Sequence, residues 1–188
     1  EVITSSKSFI ASVGAIHHIG AKPILVDIDD DLNMDTNLIE SKITNKTKAI
    51  MPVHWTGRIC NMKNISRISK KYNLKIIEDA AQGIGSYYHG KHAGTFGECS
   101  AFSCHPLKNL NAIGDAGFMI TNNKKIYEKV MLYRNHGLFK RDDVRIFGIN
   151  SRLDVINAVV LSLRLKKLNN IIKKRKYNVK LYRKYLSD

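Results

Sequence analysis

Lysine, carboxylate and a glycine turn are the residues of this 188-residue chain whose types and spacing could do chemistry together. Lys108 lies in the run Ala101-Phe102-Ser103-Cys104-His105-Pro106-Leu107-Lys108-Asn109-Leu110, and Gly114-Asp115-Ala116-Gly117 follows before the apolar segment Phe118-Met119-Ile120-Thr121. The pattern predicts a short loop between two buried strands, an unusual place for one of the chain's 31 lysines and arginines. Upstream, Leu74-Lys75-Ile76-Ile77 predicts another buried strand that ends in Glu78-Asp79-Ala80-Ala81-Gln82. A carboxylate then sits at the C-terminal edge of a strand, where open α/β sheets bind ligands. Pyridoxal phosphate chemistry requires an amine to form a Schiff base and a carboxylate to keep the pyridine nitrogen protonated. The constellation points to a site for that cofactor.

The elements that must position these groups read as βα units. Val2-Ile3, Pro23 to Val26, Ala49 to Val53 and Leu74 to Ile77 are strand-sized apolar runs separated by stretches of helical length. Such alternation predicts a largely parallel sheet with right-handed crossovers. Phe9 to Ile19 predicts a first helix, with Ser8 as its cap and Gly20 as its stop. Asp35 or Thr36 caps a short second helix carrying Leu38 and Ile39, and Ile65, Ile68 and Tyr72 give a third helix its apolar stripe. Gly83 to Gly97 is glycine-dense and irregular. A helix over Lys125 to Tyr133, a surface loop over Leu138 to Asn150, and two long helices over Asp154 to Leu168 and Asn170 to Leu186 complete the chain.

Composition is that of a globular protein, with 44% apolar and 8% aromatic residues. No apolar run approaches the roughly 20 residues of a membrane helix, and no signal peptide opens the chain. The first residues, Glu1-Val2-Ile3, read as the middle of a longer protein. The three cysteines, Cys60, Cys99 and Cys104, lack metal or redox spacing and fit buried thiols in a reducing cytoplasm. His17 and His18 are adjacent on a helix, so they diverge and make a poor metal pair; no metal site is expected. The net charge of +15 raises nucleic-acid binding, but it lies largely on helix surfaces and in the segment from Lys166 to Arg183, without a recognition motif.

The order of the motifs resembles that of the DegT-type nucleotide-sugar aminotransferases, a branch of the fold-type I pyridoxal phosphate enzymes. It runs from Glu1-Val2-Ile3 with Ser8-Phe9, through Gly20-Ala21-Lys22-Pro23 and Val26-Asp27-Ile28-Asp29, to Thr47 through His54 and Ile77-Glu78-Asp79-Ala80-Ala81-Gln82. It continues with Phe102-Ser103, Lys108-Asn109-Leu110, Gly114-Asp115-Ala116-Gly117, Arg134-Asn135-His136-Gly137 and Asn150-Ser151-Arg152-Leu153-Asp154. The resemblance implies a three-layer α/β/α sandwich with a mostly parallel sheet, the large domain of that fold, incomplete at both ends. Residues 1–160 would form the partial cofactor-binding domain and 161–188 helices leading to a missing C-terminal small domain. An upstream phosphate loop would be missing too.

Carried over by position, the resemblance makes Lys108 the lysine that binds pyridoxal 5'-phosphate and shuttles the proton. Asp79 pairs with the ring nitrogen, Gln82 bonds the phenolic oxygen, Ser103 binds the phosphate and Phe9 stacks on the ring. Asn150 reaches the phosphate in the neighbouring subunit of a homodimer with shared active sites. Taken bare, Asp79 is a cap after a strand, Phe9 is core, and Asn150 caps the following helix. His54 and Trp55 border the substrate or are core. The implied reaction moves an amino group from an amino acid, usually glutamate, to a keto group of a nucleotide-linked sugar, for cell-surface polysaccharide or glycoside biosynthesis. Partners are then substrate and amino donor, with no nucleic acid and no membrane. The competing enzyme is a sugar dehydratase of the same family, which carries a histidine where Lys108 stands; the competing class is a basic nucleic-acid-binding regulatory module.

Overall fold

The computed structural model describes residues 1–186, which gather into two compact units. The first comprises Glu1–Phe102 with Phe118–Arg152, and the second Ser103–Gly117 with the chain from Leu153 onward. The first unit is built on a six-stranded sheet of β1 (Val2–Ser5), β2 (Pro23–Val26), β3 (Ala49–Met51), β4 (Lys75–Asp79), β7 (Cys99–Ser103) and β8 (Gly117–Ile120), in the order β2-β1-β3-β4-β7-β8. Ser103 and Gly117, the end residues of β7 and β8, belong to the second unit. The ladders β1–β2, β1–β3, β3–β4 and β4–β7 are all parallel.

Period-two alternation assigns each strand residue to one of two cores. Ile3, Ile50 and Ile76 pack under α2 (Met62–Lys71), whose Met62, Ile65 and Ile68 are buried three residues apart. Val2, Ala49 and Met51 face the other way and meet Ile16 of α1 (Ile10–His18). Helix on one face, sheet, and helix on the other make the three-layer α/β/α arrangement. Asn61 caps α2 by accepting from the Asn64 amide at 3.1 Å, and Gly20, at φ +72°, stops the chain after α1.

Several expectations need correction. Phe9 rather than Ser8 is the N-cap of α1, without a side-chain cap bond; the Ser8 hydroxyl instead meets that of Ser12. No α-helix forms around Leu38 and Ile39. The carboxylate of Asp35 accepts from the Asn37 amide at 2.9 Å and a 3-10 turn, Glu40–Lys42, follows. Lys71, Tyr72 and Arg67 of the α2 region bond the Glu40 carboxylate, which brings its pKa down to about 2. Tyr72 therefore lies outside the apolar stripe. Inside Gly83–Gly97 a small hairpin forms from β5 (Tyr87–Tyr88) and β6 (Lys91–His92).

Helix α3 (Lys124–Tyr133) is capped by Asn123 and starts one residue earlier than expected. The surface loop is in fact a second hairpin, β9 (Leu138–Lys140) with β10 (Asp143–Val144). Its three- and two-residue strands are too short for an alternation to show in sequence. The two long helices are one, α4 (Val155–Tyr185), because the segment expected to separate them, Leu168-Asn169-Asn170, contains neither Gly nor Pro. Nor is β8 a buried strand: it ends the sheet order, and Phe118 is 38% exposed. Cys60 and Cys104 are buried, but Cys99 is only half-buried; all three are free. Burial pushes the Cys60 thiol up to about 12, leaving it unreactive at neutral pH.

Candidate active site

Asp79 ends β4, and the sheet fixes its backbone from two sides. Its amide donates to the Pro52 carbonyl at 2.9 Å, its carbonyl accepts from the His54 amide at 3.0 Å, and it stands opposite Ala101 in register. The chain then turns, with the Gly83 amide donating to the Ala80 carbonyl at 2.8 Å. Asp79 Oδ1 accepts from the Ala81 amide at 3.1 Å, while Oδ2 accepts from the Ser12 hydroxyl at 2.6 Å. Ser12 lies in the first turn of α1, directly after Phe9, whose ring is 72% exposed. The exposed ring sets aside the reading of Phe9 as core. Phe9, Asp79 and Gln82 belong to the first unit, with Ser12 bonding one end of α1 to Asp79. Gln82 sits half-buried on the turn after Asp79.

Next to Asp79 is a group that sequence reasoning overlooked. Glu78 is fully buried, and its carboxylate meets four donors: the His54 ring nitrogen Nε2 at 3.0 Å, and the amides of Gly94 at 2.7 Å, Phe96 at 2.6 Å and Gly97 at 2.8 Å. Nδ1 of His54 faces the Cys60 amide at 3.4 Å, so that nitrogen accepts and Nε2 carries the hydrogen. His54 is thus buried in the core, with both ring nitrogens hydrogen-bonded within the protein. The available signal was the alternation of β4, which turns Glu78 inward with Ile76.

Desolvation pushes the Glu78 carboxyl upward, yet the His54 bond and the Gly97 and Phe96 amides outweigh it, and its pKa lies below the usual glutamate value. A carboxyl depressed in the folded state contributes stability that is fully present above the unfolded value and lost as pH falls through the folded one. Thermal unfolding followed from neutral to acid pH should therefore show a loss of Tm in that acid window. Glu78→Gln should lower Tm at neutral pH and flatten the acid slope, and an unchanged slope would contradict this account.

The second unit holds Ser103 and Lys108. The Cys104 amide donates to the Ala116 carbonyl at 2.7 Å and the Ala112 amide to the Cys104 carbonyl at 2.8 Å, which closes the intervening residues into a loop. Inside it the Lys108 amide donates to the His105 carbonyl at 2.8 Å, and the Ser103 hydroxyl accepts from the His105 amide at 3.3 Å. Two α4 residues that the sequence did not single out hold this loop. Buried Asn157 accepts from the Ile113 amide at 3.3 Å, and Arg164 donates to the Asn111 carbonyl at 2.9 Å. Lys108 is half-buried.

Asn150 is exposed in the first unit, bridged antiparallel to Asn135. Its side-chain oxygen accepts from Arg152 Nε at 3.0 Å, and a terminal nitrogen of Arg152 donates to the Asn135 side chain at 3.2 Å. It does not cap α4, whose N-cap position is Asp154. Among the described residues, no group of three or more His, Cys, Asp or Glu side chains could hold a metal ion, and no helix is long and apolar enough to cross a membrane.

Comparison with known proteins gives the family of the chain. The chain is 43% identical over its whole length to dTDP-3-amino-3,6-dideoxy-alpha-D-galactopyranose transaminase of Aneurinibacillus thermoaerophilus, covering 52% of that protein. It is 41% identical to a Geobacillus stearothermophilus protein named pleiotropic regulatory protein, covering 51% of it. Among solved structures, Helicobacter pylori PseC, an aminotransferase involved in the biosynthesis of pseudoaminic acid, superposes with a TM-score of 0.96 at 30% identity, matching all of this chain and 51% of that one. The chain spans about half the length of these curated relatives. Its residues 1–188 match the family model throughout, and the chain belongs to the DegT/DnrJ/EryC1/StrS aminotransferase family.

Proposed function

We propose that the whole protein is a pyridoxal 5'-phosphate-dependent aminotransferase that moves an amino group from an amino acid, glutamate, to a keto group of a nucleotide-linked sugar. Asp79 carries the reading: its carboxylate is held at the C-terminal edge of a parallel strand, one oxygen on Ser12 and the other on the Ala81 amide. Each oxygen has accepted only one bond, so lone pairs remain for a further N–H, and a pyridinium is such a donor. Phe9 offers an exposed flat face on the helix that supplies Ser12. These residues fit the cofactor.

Bound there, the cofactor supplies an electron sink and a temporary store for the amino group. Asp79 would hold the proton on the ring nitrogen, Gln82 would donate to the phenolic oxygen, and the Ser103 hydroxyl would bind the phosphate. Lys108 would hold the group through Nζ and, once free, carry a proton to and from the substrate carbon at that atom. Relatives whose names specify sugar transaminases support the substrate class. We place the enzyme in the cytoplasm, making amino sugars for cell-surface polysaccharide or glycosides, with a small domain beyond the 161–188 segment.

The active form is a homodimer in which Asn150 of one subunit serves the other's site, as isologous symmetry makes such lending reciprocal. Exposed Val155, Ile156, Val159 and Leu163 on α4 supply apolar area for association. Incubated with glutamate and a keto nucleotide-sugar, the whole protein should yield the amino sugar and 2-oxoglutarate, and no product without the donor. A deoxygenated keto sugar with release of ammonia, in place of the amino sugar, would instead show a dehydratase, glutamate being consumed as the source of electrons. Mixed dimers of Lys108→Ala and Asn150→Ala subunits should recover activity, since one of their two sites is intact. Mixed dimers as weak as their parents would place Asn150 outside the partner's site.

A further inference from the structure

The buried Glu78–His54 pair anchors two of the segments that pack around the Asp79–Gly83 turn. Through its oxygens Glu78 holds the 94–97 segment by three amides, and through His54 it holds the start of the Trp55–Gly57 3-10 turn. Both segments bear directly on the residues after Asp79. At Gly57 a side-chain carbon would come within 2.8 Å of the Gln82 carbonyl oxygen, and at Gly83 it would come within 2.8 Å of the Ala93 methyl. Backbone bonds complete the frame: the His54 amide donates to the Asp79 carbonyl, and the Ala93 amide donates to Ser86. Gly94, at φ +85°, accepts the Ser100 hydroxyl at 2.9 Å and has no room for a side chain against Phe102. The turn that carries Asp79 and Gln82 is thereby walled by two backbone segments that share one carboxylate as their common anchor.

We propose that Glu78 and His54 are positioning residues for the reaction, setting the Asp79 carboxylate and Gln82 by clamping the segments on either side of their turn. The inference rests on the reading of Asp79 and Gln82 as cofactor ligands. A carboxylate suits this place because it accepts along both oxygens, and a buried charge fully hydrogen-bonded on rigid donors moves little. Displacements of about 1 Å at such groups cost on the order of 100-fold in rate. In Glu78→Gln one oxygen still serves Phe96 and Gly97, but the amide NH₂ is brought against the Gly94 N–H. His54→Ala removes the donor outright, whereas His54→Gln places an amide N–H where Nε2 stood.

The test uses the whole protein, with and without added pyridoxal phosphate. Amide hydrogen exchange of the cofactor-free protein should accelerate over residues 79–83 and 93–97 in His54→Ala and Glu78→Gln. In the loaded protein the visible absorbance should shift its pH midpoint, and kcat should fall about tenfold or more while the glutamate KM changes less than about threefold. His54→Gln should restore most of the three readouts. Variants that lose only Tm, with wild-type exchange over 79–83, absorbance midpoint and kcat, would overturn the positioning role. Failure of all three variants to fold would also overturn it, since the pair would then serve the fold alone. A wild-type protein that gains no visible absorbance with the cofactor would instead sink the functional reading, so the two failures are distinguishable.

Discussion

Lys108→Ala is expected to abolish covalent retention of pyridoxal phosphate and to lower transamination by about 1,000-fold or more. Both losses follow from one atom. In the proposed reaction Nζ would form the bond that holds the cofactor and the same nitrogen would carry the proton afterwards, so no other side chain could replace half of its work. The surrounding loop should survive, because its closure relies on backbone bonds of Cys104, Ala112 and Ala116 and on Asn157 and Arg164 of α4, none of which involves the lysine side chain. Borohydride reduction followed by peptide mapping should label Lys108 in the wild-type protein and leave the variant unlabelled. A label on any other of the chain's lysines, or none in wild-type protein saturated with cofactor, would refute the assignment. Circular dichroism and Tm close to wild type would confirm that chemistry, not folding, was lost.

Legibility in the sequence followed the strength of local pattern. The four parallel strands β1 to β4 were readable because each is a short apolar run bounded by helix-length segments, and parallel strands covered on both faces need such runs. Helix α2 was readable from Ile65 and Ile68, while its cap, Asn61, emerged only from the structure. Where pattern was weak, reading failed. The β9–β10 hairpin has too few residues to show alternation, and the continuity of α4 through Leu168 to Asn170 depends on the absence of any strong breaker rather than on a positive signal.

At the candidate site the legible residues were those tied to a motif, and the overlooked ones act through tertiary geometry. Asp79 is conspicuous at a strand end, while Ser12, 67 positions away, declares its role only when α1 packs beside β4. Glu78 looked like the neighbour of the interesting residue. Its four donors come from His54 and from Gly94, Phe96 and Gly97, and no local propensity announces such a convergence. Asn157 and Arg164 were read as ordinary helix positions for the same reason.

Asp79→Asn is expected to leave cofactor attached at Lys108 but to slow transamination by roughly 100-fold or more, because an amide cannot offset the charge of a protonated ring nitrogen. The substitution is nearly isosteric, so the turn should persist: one oxygen can still accept either the Ala81 amide or the Ser12 hydroxyl. The other position becomes an NH₂, which can donate to the Ser12 hydroxyl oxygen but not to the Ala81 amide, so the local bonds persist with the oxygen turned to Ala81 and the main change is the lost charge. Ser12→Ala separates the charge from the local bonds. It removes the 2.6 Å bond to Oδ2 while keeping the charge, so it should cost about tenfold or less in kcat and leave the visible absorbance nearly unchanged. Asp79→Glu keeps the charge but lengthens the arm, and should fall between the two. The ordering Ser12→Ala, Asp79→Glu, Asp79→Asn by increasing loss is what a role in charge compensation demands. Near-normal turnover by Asp79→Asn would show that the ring nitrogen is not held protonated by this carboxylate, whereas a Ser12→Ala loss as large as that of Asp79→Asn would shift the role from the charge to its exact placement.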